Sequence, residues 1–101
     1  MPRTPRPANR FRINAKAFFL TYPRADGITL DLLYEFLSDK RLAGDRPNDV
    51  LVAEERHQSG ELHFHAFLKW GRRKDVGNER EFDYEYRGQI WHPNTQACRS
   101  P

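Results

Sequence analysis

The sequence predicts an α+β domain in which a single antiparallel sheet carries helical cover on one face. Residues 11–22 alternate apolar and polar side chains at the period of a strand. Leu30, Leu33 and Leu37 repeat at the period of a helix, and two further alternating runs flank the turn signal His57-Gln58-Ser59-Gly60-Glu61. A chain of 101 residues makes one domain around one core. Its charged fraction of 31% and mean hydropathy of −0.90 give a very polar surface, yet an aromatic content of 13% excludes a disordered tail.

Residues 1–10 carry Pro2, Pro5 and Pro7 among Arg3, Arg6 and Arg10, and read as a mobile basic arm ahead of a folded domain over 11–101. The first strand runs from Phe11 to Tyr22. Uninterrupted alternation would set Phe11, Ile13, Ala15, Ala17 and Phe19 on one face and Arg12, Asn14, Lys16, Phe18 and Leu20 on the other. Pro23 and Gly27 bracket a turn. Thr29 is the N-cap of a helix whose buried stripe is Leu30, Leu33 and Leu37, joined by Leu32 and Phe36, with Gly44 and Pro47 as its stop signals. A hairpin spans Asp49 to Trp70. Residues 71–80 are too polar for a core element and read as a loop, residues 81–87 as a short strand, and residues 89–101 as an exposed turn region.

The hairpin fixes the chemistry. A three-residue loop of Gln58, Ser59 and Gly60, with Gly60 left-handed, pairs His57 with Glu61. Counting back along the ladder sets Glu55 opposite His63 and Ala53 opposite His65, all on one face. Val50 and Val52, opposite Leu68 and Ala66, then share the other face with Leu62 and Phe64. A slip of one residue would bury the imidazoles and expose the valines, so the alternation itself holds the register. A lone histidine on a wet strand face is usually just solvated. Two on one face with an acid opposite make Glu55, His63 and His65 a metal site, and one carboxylate with two imidazoles leaves positions open for a hydrated Mn²⁺ or Mg²⁺. Mn²⁺ suits nitrogen donors better. Parity sends Glu54 to the opposite face, where it would pair with Arg56 at the strand end. His57 shares the metal face but reads as a solvated turn residue, and His92 and Cys98 lack a partner at ligand spacing.

The formal net charge is +3 and the isoelectric point about 9.3, with bases clustered at Arg72-Arg73-Lys74 and in the arm, which favours a nucleic-acid partner. Phe18, Phe19 and Tyr22 are most simply core and sheet residues, and Tyr22, beside Pro23, is also a candidate stacking platform for a base. The one cysteine excludes an internal disulfide and a multi-cysteine zinc site. No apolar run is long enough for a signal peptide or a membrane span, and the expectation is an intracellular protein with no membrane partner.

Phe19-Leu20-Thr21-Tyr22-Pro23 and His63-Phe64-His65 resemble motifs one and two of viral rolling-circle replication initiators, the His-hydrophobe-His (HUH) endonucleases, in particular geminivirus and genomovirus Rep proteins. Phe11 to Lys16 resembles the segment that precedes motif one in geminivirus Reps, Glu55-Arg56-His57 their acid-ligand segment, and Phe82-Asp83 through His92-Pro93-Asn94 the element before motif three. The resemblance implies a five-stranded antiparallel sheet flanked by helices, an HUH or RRM-like fold. It implies a divalent ion, Mn²⁺ or Mg²⁺, on Glu55, His63 and His65, polarising a phosphate in the stem-loop of a single-stranded viral origin DNA. A tyrosine would attack that phosphate, leaving a 5′-phosphotyrosine and a free 3′-hydroxyl for later rejoining. DNA contacts are expected from Arg10, Arg12, Asn14, Lys16, Tyr22, Arg72, Arg73 and Lys74. A C-terminal helicase domain in the longer protein and action in the host-cell nucleus are also implied.

The departure concerns the nucleophile. The family carries it in Tyr-x-x-Lys just after the element before motif three, and these 101 residues contain no such pattern. Tyr84-Glu85-Tyr86-Arg87 imitates it, but in a setting that reads as a strand. The expectation is the front portion of a longer initiator, with no catalytic nucleophile of its own, that binds metal and DNA without cleaving. Two other classes compete. A non-catalytic RRM-like nucleic-acid-binding module has no use for the triad, and residues 61–70 do not match its RNP1 pattern. A cupin-like metalloenzyme needs an acid shortly after the histidine pair, and residues 66–71 lack one.

Overall fold

The computed structural model describes residues 11–99, so the basic arm and Arg10 lie outside the described residues. The elements are β1 (Ile13–Tyr22), α1 (Leu30–Ser38), β2 (Asp49–Arg56), β3 (Leu62–Val76), β4 (Tyr84–Tyr86), β5 (Gln89–Trp91) and β6 (Asn94–Ala97). Four of them form an antiparallel sheet in the order β2-β3-β1-β6, and β4 pairs with β5 in a small sheet of two strands. The fold is α+β and compatible with an HUH or RRM-like domain.

The strand count differs from the five expected in one sheet. Arg87 and Gly88, at φ 53° and 80°, make a two-residue turn in the left-handed region, whose twist suits a tight hairpin. Tyr84–Tyr86 therefore satisfies its backbone on Gln89–Trp91 rather than on the main sheet. The tail expected to be exposed also supplies β6, which covers the free edge of β1 from Thr21↔Asn94 to Phe18↔Ala97. Among the described residues there is one helix. Thr29 caps it by accepting a 3.1 Å hydrogen bond from Leu32 N–H, and it ends at Ser38, earlier than Gly44 suggested. Gly44, at φ 85°, instead serves a tight turn in which Leu42 and Asp45 bond each other's backbone.

Strand β1 departs most from simple alternation. Ala15 pairs with Lys74 and Ala17 with Lys69, so Lys16 alone faces residues 70–73 of β3. That irregularity reverses the parity of β1. Ala15 points to the core before it, and Phe18, Leu20 and Tyr22 do so after it, which turns Phe19 outward. The partner strand keeps one parity throughout, with Leu62, Phe64, Ala66, Leu68, Trp70, Lys74 and Val76 all buried. Residues 71–76, expected as loop, thus continue β3. The core lies under this face: Phe18 meets Trp70 edge-to-face at 5.8 Å and Phe82 at 5.8 Å, and Leu33 and Leu37 of α1 are fully buried in the same cluster. Truncating Phe18 or Trp70 to Ala in such a site costs about 3–5 kcal/mol.

Candidate metal centre and nucleic-acid face

The β2–β3 hairpin closes as its residues predict. Gly60 sits at φ 91°, its N–H donates to the His57 carbonyl at 2.8 Å, and His57 N–H donates to the Glu61 carbonyl at 2.9 Å. Glu55 stands opposite His63 and Ala53 opposite His65, while Val50 and Val52 stand opposite Leu68 and Ala66. The acid and both histidines therefore share the open face, away from the core.

Glu55 is the hub of this face. Its Oε1 lies 2.7 Å from His65 Nε2 and 3.6 Å from His57 Nε2. The hydrogen bond from His65, helped by the neighbouring imidazoles, holds the Glu55 carboxyl below the usual range, so it is a carboxylate at neutral pH. His65 is braced on its other side: Nδ1 lies 3.3 Å from Thr21 Oγ1, and the ring stacks on Phe19 at 5.6 Å. His63 Nε2 lies 2.7 Å from Glu61 Oε1, which lowers the Glu61 pKa, and Arg24 Nε donates to the same carboxylate at 3.1 Å. The rings of His57 and His63 are 4.1 Å apart, and ligand atoms of Glu55, His57 and His63 all fall within 4.8 Å of one another. An ionised carboxylate amid imidazole nitrogens on a wet surface is a donor set that fits a divalent cation of the Mn²⁺ type.

Glu55, His63 and His65 share the expected face, but the donor atoms that cluster are those of Glu55, His57 and His63, with His65 joined through Glu55; His57 and Glu61 are not among the expected ligands. The signal is present, since 55 and 57, like 61, 63 and 65, share one parity. Assigning His57 to the turn hides it. Arg56 does not pair with Glu54; it donates to the Gly60 carbonyl at 2.7 Å and ties down the loop. His92 has a partner after all, Asp83, at 2.5 Å.

Beyond the histidines the open face continues in register across all four strands. One row runs Ala53, His65, Thr21, Asn94; the next runs Leu51, Phe67, Phe19, Gln96. Leu51 is 67% exposed and Phe19 36%, so the centre of the face is apolar and wet. Past it Lys16, Lys69, Arg73 and Arg99 line a shallow cavity with Ala17 and Cys98. Of the residues expected on DNA, Lys16 and Arg73 line this cavity, and Arg73 Nε donates to Asn14 Oδ1 at 2.7 Å. Arg12 pairs with Asp75 at 2.5 Å, and Lys16 and Arg72 are exposed.

Two expected contacts need correction. Tyr22 is fully buried, and its hydroxyl donates to the Phe82 carbonyl at 2.6 Å, so no base can stack on it. Burial, with Asp83 nearby, pushes its phenol far above the usual range. The parity reversal in β1 turns it inward and makes Phe19 the exposed aromatic instead. Lys74 is also buried, because β3 continues past Trp70, and its Nζ is spent on Asp45 at 2.5 Å. Lys69, one strand segment earlier, takes its place on the open face.

Residues 11–101 match the family described as the geminivirus Rep catalytic domain. The chain belongs to that family. The Rep domain is 33% identical over 101 residues to the replication-associated protein of cabbage leaf curl virus, covering 98% of this chain and 28% of that protein. It is 33% identical over 100 residues to replication-associated protein A of tobacco yellow dwarf virus, covering 99% and 32%. With replication-associated protein A of Miscanthus streak virus it shares 34% over 88 residues, covering 87% and 38%. The Rep domain thus spans between 28% and 38% of the length of these curated relatives. Among the described residues no helix is long and apolar enough to cross a membrane.

Proposed function

We propose that this chain is the origin-binding and metal-binding part of a rolling-circle replication initiator, acting on single-stranded viral origin DNA in the host-cell nucleus. The observation that carries the reading is that Glu55, His63 and His65 share the open face of β2 and β3, in a chain of the Rep catalytic domain family. Glu55, His63 and His65 hold a divalent cation, Mn²⁺ in preference to Mg²⁺. When bound, the cation supplies Lewis-acid polarisation of a scissile phosphodiester. Thr21 and Phe19 fix the ring of His65. A hydroxyl serves either tautomer, accepting from Nδ1–H in the form whose Nε2 is free to ligate. Phe19 and Phe67 offer stacking surface to bases, and Lys16, Lys69 and Arg73 hold phosphates at the far end of the face, while Arg72, on the core-side parity of β3, is not part of it.

Nicking requires a tyrosine hydroxyl at the phosphorus, to form the 5′-phosphotyrosine and release the 3′-hydroxyl. We assign that role to none of the four tyrosines of this chain: Tyr22 is in the core, Tyr34 and Tyr84 line a groove beside α1, and Tyr86 stacks on Tyr84. The nucleophile and a C-terminal helicase belong to the longer protein. The test is incubation with Mn²⁺ and a labelled single-stranded origin oligonucleotide. Retention of the oligonucleotide on a native gel with no covalent adduct on a denaturing gel is expected, and an adduct would show that a tyrosine of this chain attacks. The exposed aromatic row also suits a metal-free RRM-like module, which predicts oligonucleotide binding that chelator leaves unchanged.

A further inference from the structure

We infer that His57 is a fourth donor to the cation site, completing a set of one carboxylate and three imidazoles that selects Mn²⁺ and its nitrogen-loving neighbours over Mg²⁺. The inference rests on the metal-binding reading above and extends it to a residue outside the His-hydrophobe-His pair.

Position is the first argument. His57 is two residues after Glu55 on the same strand face, and its backbone is locked from both sides by the Gly60 and Glu61 bonds of the loop. Its ring is therefore held over the site by the hairpin rather than trailing from a free end. Proximity is the second. Of the expected ligands, Glu55 and His63 are the ones whose donor atoms cluster with those of His57 within 4.8 Å. His65 reaches the same set through Glu55.

The third argument is that, beyond packing against the His63 ring, the imidazole makes no hydrogen bond among the described residues. His57 is exposed, and its nearest polar contact is the 3.6 Å approach to Glu55, too long for a hydrogen bond that would explain its placement. By contrast, the imidazoles of His63, His65 and His92 each lie within 2.7 Å of a carboxylate. A free imidazole held beside an ionised carboxylate and a second imidazole is arranged as a ligand waiting for an ion. Mg²⁺ prefers oxygen and keeps its waters, whereas Mn²⁺, Co²⁺ and Zn²⁺ accept imidazole, so a third nitrogen donor widens the gap between them.

The experiment uses the full chain and three metals. Isothermal titration gives Mn²⁺ and Mg²⁺ affinities for wild type and for His57→Ala, and long-range ¹H–¹⁵N spectra follow the imidazole nitrogens as diamagnetic Zn²⁺ is added. The expected result is a loss of about tenfold or more in Mn²⁺ affinity, of the size metal-site changes produce, with little change for Mg²⁺. The His57 nitrogen that ligates should shift in wild type together with those of His63 and His65. If wild type binds Mn²⁺, His57→Ala binds it equally and the His57 nitrogens stay put while the other two histidines shift, His57 is no ligand and the inference is overturned with the triad intact. If wild type binds no metal at all, the metal-binding reading fails first. The nitrogen spectra are taken on wild type, so they decide the question however the variant folds.

Discussion

Replacing Tyr22 by Phe tests whether the tyrosine of the motif-one segment belongs to the core. The substitution removes one oxygen from a fully buried site and leaves the ring in place. That oxygen makes a 2.6 Å bond to the Phe82 carbonyl, so the variant loses a good hydrogen bond and also strands a buried acceptor. Leaving a buried partner unsatisfied costs about 1–3 kcal/mol. At roughly 4–8 °C per kcal/mol for a domain of this size, a loss of about 2 kcal/mol lowers Tm by roughly 8–16 °C at neutral pH. The same oxygen gives the variant a distinct alkaline profile. The folded state raises the phenol above its ordinary value of 10.0, so wild type holds its full stability below pH 10 and loses it as the unfolded chain ionises above that. Phe cannot ionise. The gap in Tm between the two proteins therefore narrows above pH 10, as followed by circular dichroism melts from pH 7 to 11. A Tm equal to wild type at pH 7, or a gap constant through pH 11, would refute the buried-phenol reasoning.

The open face makes further predictions. Phe19→Ala and Phe67→Ala each weaken single-stranded DNA binding by about 1–3 kcal/mol in a fluorescence anisotropy titration, because each removes one stacking surface from the central row; unchanged affinity would move the DNA elsewhere. Arg73→Ala lowers the slope of log affinity against log salt by about 1, while Lys74→Ala leaves the slope unchanged and lowers Tm, since Lys74 is buried on Asp45. Thr21→Val removes the hydroxyl that holds His65 Nδ1. At 3.3 Å the bond is at the weak end of its class, so Mn²⁺ affinity by calorimetry falls about tenfold, the lower bound for a residue that orients a ligand.

Much of the site is legible because a hairpin is a local object. The loop Gln58-Ser59-Gly60 determines the pairing of His57 with Glu61, and period-two alternation carries that pairing back to Glu55 and His63 with no long-range information. The N-terminus of α1 is legible for the same reason, since Thr29 and the leucine spacing act within one turn. Strand β1 is not, because its parity reverses where Lys16 meets the extra residues of β3, an event set by a partner distant in the chain. That reversal moves Tyr22 from surface to core and brings Phe19 out. Lys74 is hard to read because three consecutive basic residues suggest a solvated loop, and its burial depends on Asp45 arriving from a distant turn. β6 escapes sequence reasoning because Asn-Thr-Gln-Ala has no apolar alternation; it is a strand because β1 offers an unpaired edge.

Thermal melts with and without Mn²⁺ address the metal site most directly. A cation bound only by the folded state adds about 2.7 kcal/mol at a hundredfold excess over its dissociation constant, which raises Tm by roughly 10 °C or more in a domain of this size. Wild type should show that rise, and His63→Ala combined with His65→Ala should abolish it while melting cooperatively. A wild-type Tm that Mn²⁺ leaves unmoved, or a rise that survives in the double variant, would contradict a cation held by Glu55, His63 and His65.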